Sequence, residues 1–420
     1  MANEFVELGE YEKLNQIIRE TFEHLAQTGQ LKLGFFLQQM EEEFTRLGFR
    51  EESAGNEVKN ILLLSLDAVG DFVVTSPAIR SIRENFPAAR ITLVVPTKVY
   101  PLAELCPYVN EVLIYDWEEK FSAEVFLKVT DFARKNLWKR RFDLCFRIGV
   151  VYRPEINFLS YLSGARERIC LEFSEIDKFF NTKCIENFIK AGDHISALDL
   201  YFLLNVGLKV NDTRLEVWYN KTDLFTARNL LKNFAQGRIK IALGIGAYAP
   251  ARKYPVEKYF VALKEIISRG AAVIILGGKD ELDDAKFLEE NLPAECVKNF
   301  VEVGAGWRVD TAVISQSDLY MGNMTGVCDI AAALNKPIIT LSRVAKRLPG
   351  FSGIHNETIS YRPLQSLSFI LQPEHQLDEC RENPSYFGCV ADHAHCIAQI
   401  EPKEIVAAYD EIIKLMKFRK

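Results

Sequence analysis

The sequence lacks any long hydrophobic run. Its longest apolar stretches, such as Ile61–Leu64, are far shorter than the ~20 residues that a membrane-spanning helix requires. The first residues, MANEFVELGEYEK, are acidic and contain no apolar segment of the kind found in secretory signals. We therefore expect an intracellular, cytoplasmic protein.

An excess of positive charge is also missing. Lys and Arg total 51 against 57 Asp and Glu, a formal net charge of −6, so the chain has no overall attraction to nucleic acid or anionic lipid. The nine cysteines are odd in number and mostly scattered, which favours reduced thiols over a disulfide framework. With 48% hydrophobic and 26% charged residues, the composition is typical of a soluble globular protein.

Residues 1–57 show the periodicity of helices. Apolar residues recur at steps of three and four, as in Phe36, Met40 and Phe44. The polar stretch Glu51–Glu57 has the composition of a linker. We expect an appended helical extension, and its residues point to no chemistry.

From residue 58 onward, short apolar runs alternate with amphipathic stretches, the first of which predicts a helix over Ser76–Asn85. Continuous apolar strands separated by helices are typical of a parallel sheet covered on both faces. A second series begins near Ile239, and its expected strands include Ile239–Gly244, Ala271–Leu276 and Phe300–Val303. The predicted fold class is therefore α/β, with two Rossmann-like domains facing a cleft. The expected segments are the helical extension 1–57, the N-terminal domain 58–220, the C-terminal domain 221–400 and a closing helix 401–420.

Two nucleotide-binding motifs are missing from this pattern. The loop Ser65–Asp71 lacks G-x-G-x-x-G, and no ribose-binding acid follows about 20 residues later. The chain also lacks G-x-x-x-x-G-K-[ST]. These absences argue against hydride transfer on NAD and against P-loop nucleotide hydrolysis.

The first strand-to-helix loop carries the candidate catalytic residue. Gly70 allows the backbone to turn tightly and to approach a ligand, and Asp71 follows at the mouth of the expected cleft. A helix N-terminus normally lowers the pKa of an Asp, so we expect Asp71 to stay ionised and to act as a base. The alternative is that Asp71 only caps the helix.

Three segments of the second domain, each at the carboxyl end of an expected strand, point toward one place. Arg252 and Lys253 precede a helix and suit a pyrophosphate. Glu281 could accept hydrogen bonds from a ribose or sugar. Thr325 and Gly326 can present a hydroxyl and free N–H groups to phosphate at the positive end of a helix. A solvated basic pair and a capping acid are the plainer alternatives for the first two segments.

Together these residues resemble glycosyltransferase family 9, the heptosyltransferase family of lipopolysaccharide assembly. The likeness covers roughly Asn60 to the C-terminus. Ile61–Pro77 (ILLLSLDAVGDFVVTSP) looks like the family's opening strand, glycine turn and helix, and the family's catalytic Asp falls on Asp71. Arg252–Pro255 looks like its Lys/Arg-x-aromatic-Pro segment, and its nucleotide-contacting acid falls on Glu281.

The family's Asp-Thr-Gly-x-x-His box aligns with residues 324–329. Met324 replaces the family's Asp, and Asp329 replaces its His. Asp329 would bring negative charge near a pyrophosphate, which is unfavourable unless Arg252 or Lys253 offsets it. The departures imply a different donor sugar, weaker binding or lost catalysis. The expected donor-site residues are Gly246, Arg252, Lys253, Glu281, Met324, Thr325, Gly326 and Asp329.

The resemblance implies a GT-B architecture and an inverting transfer that needs no metal or other cofactor for catalysis. The donor would be a nucleotide diphosphate sugar, typically ADP-heptose, and the acceptor a cell-envelope glycan or glycolipid. Asp71 would take the proton from the acceptor hydroxyl. The alternatives are a catalytically degenerate nucleotide-sugar-binding protein and a nucleotide-sugar epimerase.

Basic residues indicate where an acceptor would bind. Arg153 follows a first-domain strand and could contact acceptor phosphate or sugar acids beside Gly70; a surface ion pair is the other role open to it. Basic clusters such as Lys139–Arg141 could meet an anionic saccharide-lipid at the inner face of the cytoplasmic membrane. Ordinary solvated faces are the alternative.

Three cysteines lie near the C-terminus. Cys380, Cys389 and Cys396 are separated by eight and then six residues and have histidines nearby. They could hold a structural metal, either zinc or iron. Their spacing lacks the tight C-x-x-C pairs typical of zinc sites, so a disulfide and free structural thiols remain alternatives.

Overall fold

The computed structural model describes most of the chain beyond the N-terminal segment. The described ranges are 57–117, 123–150, 154–173, 177–186, 193–343, 360–374 and 393–418, with positions 20, 38, 39, 42 and 377. The predicted helical extension therefore lies almost entirely outside the described residues. None of the helices within these ranges is long and apolar enough to cross a membrane.

The first domain is built on a parallel sheet of six strands in the order β3-β2-β1-β4-β5-β6. Its central strand β1 is hydrophobic after Asn60, and Ile61–Leu64 are fully buried, because helices cover both faces. The strands are β1 (Asn60–Leu64), β2 (Arg90–Val95), β3 (Glu111–Ile114), β4 (Leu144–Arg147), β5 (Glu167–Leu171) and β6 (Lys183–Ile185).

The longest helix of this domain begins earlier than the sequence predicted. Its expected start was Ser76, beside Pro77, because proline is common in a first helical turn. The helix begins instead at Val69 and carries Pro77 in its interior, so Asp71 lies in its first turn. The helices are α1 (Val69–Asn85), α2 (Tyr100–Ala103), α3 (Ala123–Asn136), α4 (Pro154–Leu162), α5 (Asp177–Phe180) and α6 (Ser196–Asn205).

The second domain repeats the same strand order, β12-β11-β10-β7-β8-β9, in a second parallel sheet of six strands. The apolar run Ala271–Leu276 is buried at every position. The strands are β7 (Ile239–Gly244), β8 (Ala271–Leu276), β9 (Val297–Asn299), β10 (Leu319–Asn323), β11 (Ile338–Leu341) and β12 (Ser368–Leu371).

The prediction that Phe300–Val303 is a strand was wrong. The side chain of Asn299 accepts a hydrogen bond from the Glu302 N–H and caps a short helix. Gly304, with φ of +58°, ends that helix. The helices of this half are α7 (Lys221–Leu230), α8 (Val256–Ser268), α9 (Leu282–Asn291), α10 (Phe300–Val303), α11 (Trp307–Ser315), α12 (Gly326–Ala333) and α13 (Pro402–Phe418).

A continuous apolar layer joins the two domains. Phe72 of α1 and Phe202 of α6 belong to the same buried cluster as Val313 of α11 and Ile330 of α12. In a doubly wound sheet the ligand crevice lies where the strand order reverses. That point is between β1 and β4 in the first sheet and between β7 and β10 in the second. The loops that leave these strands carry the candidate site.

Candidate active site

The N-termini of α1 and α12 meet at the junction of the two domains. A Cβ atom added to Gly70 would lie 2.8 Å from the Gly326 Cα and 2.5 Å from Asp329 Oδ2. A Cβ atom on Gly326 would lie 2.8 Å from the Gly70 N atom. Real Cβ contacts do not come this close, so both positions require glycine. Each helix N-terminus carries a partial positive charge, so two partial positive charges lie close together at this junction.

Asp71 lies on this junction and does not cap α1. The N-cap is Ala68, which makes no side-chain capping bond, and Asp71 is the acid of the first turn. Tyr361 donates a hydrogen bond to the Asp71 carboxylate. Arg252 and Asp329, both from the second domain, act electrostatically on the same carboxylate. The residue therefore faces groups of the opposite domain.

The expectation that Asp71 has a low pKa was wrong. Desolvation by the surrounding protein, together with the carboxylates of Asp67 and Asp329, raises the pKa of Asp71 well above its usual range. The Tyr361 hydrogen bond and the Arg252 guanidinium act in the opposite direction but are weaker. Burial and the neighbouring negative charges thus raise the pKa of Asp71 by more than the partial positive charge of the helix N-terminus lowers it.

Two buried carboxylates, Asp67 and Asp199, lie near Asp71. Asp67 accepts a hydrogen bond of 2.6 Å from the Ser65 hydroxyl and one of 3.2 Å from the Val150 N–H. Asp199 of α6 accepts from the Gly149 N–H at 3.0 Å, and burial raises the pKa of Asp199 to about 7. These contacts join the loop after β1 to the loop after β4.

Asp329 is 9% exposed and lies in the first turn of α12. Burial raises the pKa of this carboxyl to about 7. Its Oδ2 atom lies against the Gly70 backbone, on the side where Asp71 begins. Two carboxyls with raised pKa values therefore share the junction, one from each domain.

The side chain of Asn323, at the end of β10, ties the second-domain loops together. Its Nδ2 donates to the carbonyl oxygens of Ile245 at 2.9 Å and Gly246 at 3.2 Å. Its Oδ1 accepts from the Tyr254 N–H and the Tyr259 hydroxyl, each at 3.1 Å. Asn323 is fully buried, so these bonds fix the loop after β7 against the end of β10.

Arg252 and Lys253 have different partners in the structure. Arg252 closes a 3-10 turn (Pro250–Arg252) and acts on Asp71. Lys253 pairs with Asp284 at 2.7 Å and with Glu281 at 3.6 Å. These pairings raise the pKa of Lys253 although burial opposes them. Of these two cations, Arg252 is therefore the one that acts on Asp71 of the opposite domain.

Glu281 is buried and lies against Gly246. A Cβ atom on Gly246 would lie 2.9 Å from Glu281 Oε2. The same oxygen accepts a hydrogen bond of 2.8 Å from the Gly278 N–H. Glu281 therefore caps its short helix, as the alternative interpretation predicted. It also borders the loop after β7.

Met324 is partly buried at the start of the loop that follows β10, where its N–H donates to the Leu341 carbonyl at 2.9 Å.

The remaining candidates are only partly covered by the structure. Arg153, Cys380 and Cys389 lie outside the described residues. Cys396 is buried at the start of a 3-10 turn. No group of three or more His, Cys, Asp or Glu residues suited to a metal is present among the described residues. A metal at the C-terminal cysteines stays a prediction without structural support.

Sequence reasoning missed four side chains of this site. Asp67 belongs to the loop that was recognised, but nothing in the sequence indicated that it is buried. Asp199 and Tyr361 are far from that loop along the chain, and no local pattern connects them. Asn323 could have been found, because a polar residue that ends a buried strand, directly before a candidate loop, is a candidate for holding that loop.

The fold and the junction define a class of protein. Two doubly wound sheets face each other, and a carboxylate from the first lies opposite an arginine and a helix N-terminus from the second. This is the arrangement of the two-domain GT-B glycosyltransferases.

Comparison with known proteins agrees with this class. Residues 204–351 match the model of glycosyltransferase family 9 (heptosyltransferase). The chain is 23% identical over 278 residues to lipopolysaccharide heptosyltransferase 3 of Escherichia coli, covering 65% of this chain and 80% of the relative. It is 22% identical over 293 residues to lipopolysaccharide heptosyltransferase 1 of Campylobacter coli, covering 67% and 83%.

Solved structures show the same fold. A family 9 glycosyl transferase from Veillonella parvula has a TM-score of 0.68 at 16% identity, covering 86% of this chain and 99% of that one. The ADP-heptose heptosyltransferase II of E. coli has a TM-score of 0.64 at 16% identity, covering 85% and 99%. The chain is similar to the heptosyltransferases of glycosyltransferase family 9, and it is a glycosyltransferase that uses a nucleotide sugar.

Proposed function

We propose that the protein transfers a heptose-like sugar from a nucleoside diphosphate donor to a saccharide acceptor of the cell envelope, with inversion at the anomeric carbon. The observation that carries this proposal is the junction itself, where Asp71 of the first domain faces Arg252 and the N-terminus of α12 in the second. The names of two relatives supply the sugar class, since each is a lipopolysaccharide heptosyltransferase.

Positive charge at the junction would stabilise the departing diphosphate. The N-terminus of α12 presents free N–H groups, and Arg252 adds a guanidinium fork that suits phosphate oxygens. Such preorganised stabilisation is usually the largest contribution to a transfer of this kind. We propose on this basis that Arg252 and α12 hold the diphosphate without a metal ion.

Asp71 would act as the base. In the ionised state it would take the proton of the acceptor hydroxyl as that oxygen attacks the anomeric carbon. A pKa above the usual range makes the carboxylate a stronger base and brings its pKa closer to the pH at which the enzyme works. Tyr361 would orient the carboxylate through its hydrogen bond.

Asp329 would work in its protonated form. A carboxyl whose pKa is raised to about 7 keeps its proton more readily than an ordinary Asp, and a protonated carboxyl can donate a hydrogen bond to a phosphate oxygen. A histidine, which the family carries at this place, can donate in the same way. The replacement would therefore keep a donor beside the diphosphate, and Asp71 and Asp329 would hold one proton between them.

The acceptor would enter from the first domain, beside the loops that follow β1 and β4, and Arg153 remains a candidate contact there. Phe418 is 79% exposed at the end of α13, next to the exposed Lys417. This pair supports a proposed peripheral contact with an anionic membrane surface. Sedimentation with anionic vesicles would test that contact.

A nucleotide-sugar screen tests the proposed function. Thermal shift with ADP, UDP and GDP sugars identifies the donor, because a ligand raises the melting temperature according to its concentration relative to Kd. Transfer to a lipopolysaccharide core acceptor is then followed in the presence of EDTA, with NMR of the product. We expect stabilisation by ADP-heptose and an inverted anomeric centre. Tight donor binding without transfer, or retention of configuration, would contradict the proposal.

A further inference from the structure

Two cysteines face each other at the edge of the first sheet. Cys170 on β5 and Cys184 on β6 are paired in register, and their sulfur atoms lie 3.5 Å apart, with the Cys170 thiol as the hydrogen-bond donor. Neighbouring strands are ~4.8 Å apart, which lies inside the ~4.4–6.8 Å Cα separation of disulfides. The two sulfurs can therefore bond after a small side-chain rotation, without movement of the backbone.

The two thiols differ in their access to solvent. Cys170 is fully buried, whereas Cys184 is partly exposed on β6, the outermost strand. An oxidant from solution would meet Cys184 first. The other cysteines within the described part of the chain are buried, namely Cys106, Cys145, Cys296, Cys328 and Cys396.

The surroundings of Cys184 favour its thiolate. The hydrogen bond from Cys170 lowers the pKa of Cys184, and the Arg147 guanidinium lowers it further. Desolvation and the carboxylates of Asp177 and Glu172 act in the opposite direction but do not cancel this effect. Since the thiolate is the nucleophile, Cys184 is the more reactive member of the pair and Cys170 is held as its partner.

We propose that Cys184 and Cys170 form an oxidation site at which a peroxide converts the two thiols into a disulfide between β5 and β6. In the first step the Cys184 thiolate attacks hydrogen peroxide, so that an S–O bond forms, the O–O bond breaks and hydroxide leaves. In the second step the Cys170 sulfur attacks the sulfenic acid, the S–S bond forms and water leaves with the Cys170 proton. The sum is two thiols and one peroxide giving one disulfide and two waters.

The disulfide would act on the chain between the two strands. That chain includes α5, whose Asp177 holds Arg147 through an ion pair of 2.7 Å between buried side chains. Arg147 is the last residue of β4, directly before the loop that contacts Asp67. Oxidation would close the covalent ring around α5 and reduce its freedom to open, and thiol reductants would reverse it.

Peptide mapping tests the proposal. The reduced full-length protein is treated with hydrogen peroxide, blocked with N-ethylmaleimide and digested with trypsin without reduction. Peptides 169–178 and 184–190 carry the two cysteines separately, so a disulfide joins them into one species. We expect this species to grow with peroxide and to disappear with dithiothreitol, while Cys296→Ala, which removes a buried cysteine elsewhere, leaves it unchanged.

Two single variants separate the roles of the pair. In Cys170→Ala we expect dimedone to trap a sulfenic acid on Cys184, because its resolving partner is gone. In Cys184→Ser we expect Cys170 to stay reduced at the same peroxide concentration. Oxidation of Cys184 in the native protein without a linked peptide, or Cys170 reacting as readily in Cys184→Ser, would overturn the proposal.

Discussion

Two carboxyls from different domains determine the charge of the junction. Asp71 and Asp329 approach each other closely enough that the ionisation of one opposes that of the other, and burial alone raises the pKa of Asp329 to about 7. Near neutral pH the pair therefore favours a state with one proton. The proposed mechanism uses the form of that state in which Asp71 is ionised as the base and the proton is on Asp329 beside the diphosphate.

This shared proton predicts a bell-shaped pH dependence of kcat/KM. Activity should fall at low pH, where Asp71 becomes protonated, and at high pH, where Asp329 loses its proton. Asp329→Asn keeps a hydrogen-bond donor but removes the like charge, which lowers the pKa of Asp71. In that variant we expect the acid limb to move to lower pH and the alkaline limb to weaken. The measurement is kcat/KM across the pH range for both proteins.

A matched control is Asp410→Asn, which removes an exposed acid on α13 that pairs with Arg269 at 3.2 Å. Its profile should follow that of the native protein. An acid limb that stays in place or moves to higher pH in Asp329→Asn would contradict the coupling of the two carboxyls.

Among the secondary-structure elements, β10 determines the position of the donor loops. Asn323 ends this strand and bonds to both Ile245 and Gly246 after β7 and to Tyr254 before α8. Because these groups are buried, removal of one partner leaves the others without a hydrogen bond, at a cost of about 1–3 kcal/mol per group. The loops around the proposed diphosphate site thus depend on one amide.

We expect Asn323→Ala to lower the free energy of unfolding by roughly 2–4 kcal/mol and to raise the KM for the donor, since several buried hydrogen bonds are lost together. Tyr259→Phe removes a single one of these bonds and should cost about 1 kcal/mol. Urea unfolding and donor titration measure the two effects. Equal losses in both variants would show that Asn323 does not tie the loops.

The contact between α1 and α12 makes a second prediction at this level. Gly70→Ala places a Cβ atom 2.8 Å from the Gly326 Cα, so the two helix ends must separate. We expect a loss of roughly 1–3 kcal/mol in stability and lower turnover, measured by thermal unfolding and by the transfer assay. Gly278→Ala is the control, because its Cβ would come no closer than 3.3 Å to Glu281 Oε2. Unchanged turnover in Gly70→Ala would contradict a functional junction.

The strands of the second sheet show what the sequence could predict. Ile239–Gly244 and Ala271–Leu276 were placed at their observed bounds, since mostly apolar runs of this length are typical of buried strands. Phe300–Val303 looks the same over four residues, and only the Asn299 cap and Gly304 make it a helix. Short apolar segments therefore do not reveal their structure without the residues that flank them.

Across the two domains, the sequence predicted that Asp71 and the donor loops border one cleft, but not that the N-termini of α1 and α12 touch. Each loop could be placed at the end of a strand, and parallel strands end at the same edge of a sheet. The contact of Gly70 with Gly326 arises from the apolar layer between the domains, which no local pattern encodes. The low pKa expected for Asp71 was wrong because burial raises this pKa, and the carboxylates of Asp67 in the same domain and Asp329 in the other domain raise it further.

The central claim is that Asp71 is the base facing a diphosphate site in the opposite domain. Kinetics of Asp71→Asn with an ADP-heptose donor, combined with calorimetry of ADP binding, test it most directly. The amide keeps the size of the side chain but cannot take a proton, so turnover should fall by about 10²-fold or more while the Kd for ADP changes little. Near-normal turnover in a folded Asp71→Asn protein would contradict the claim.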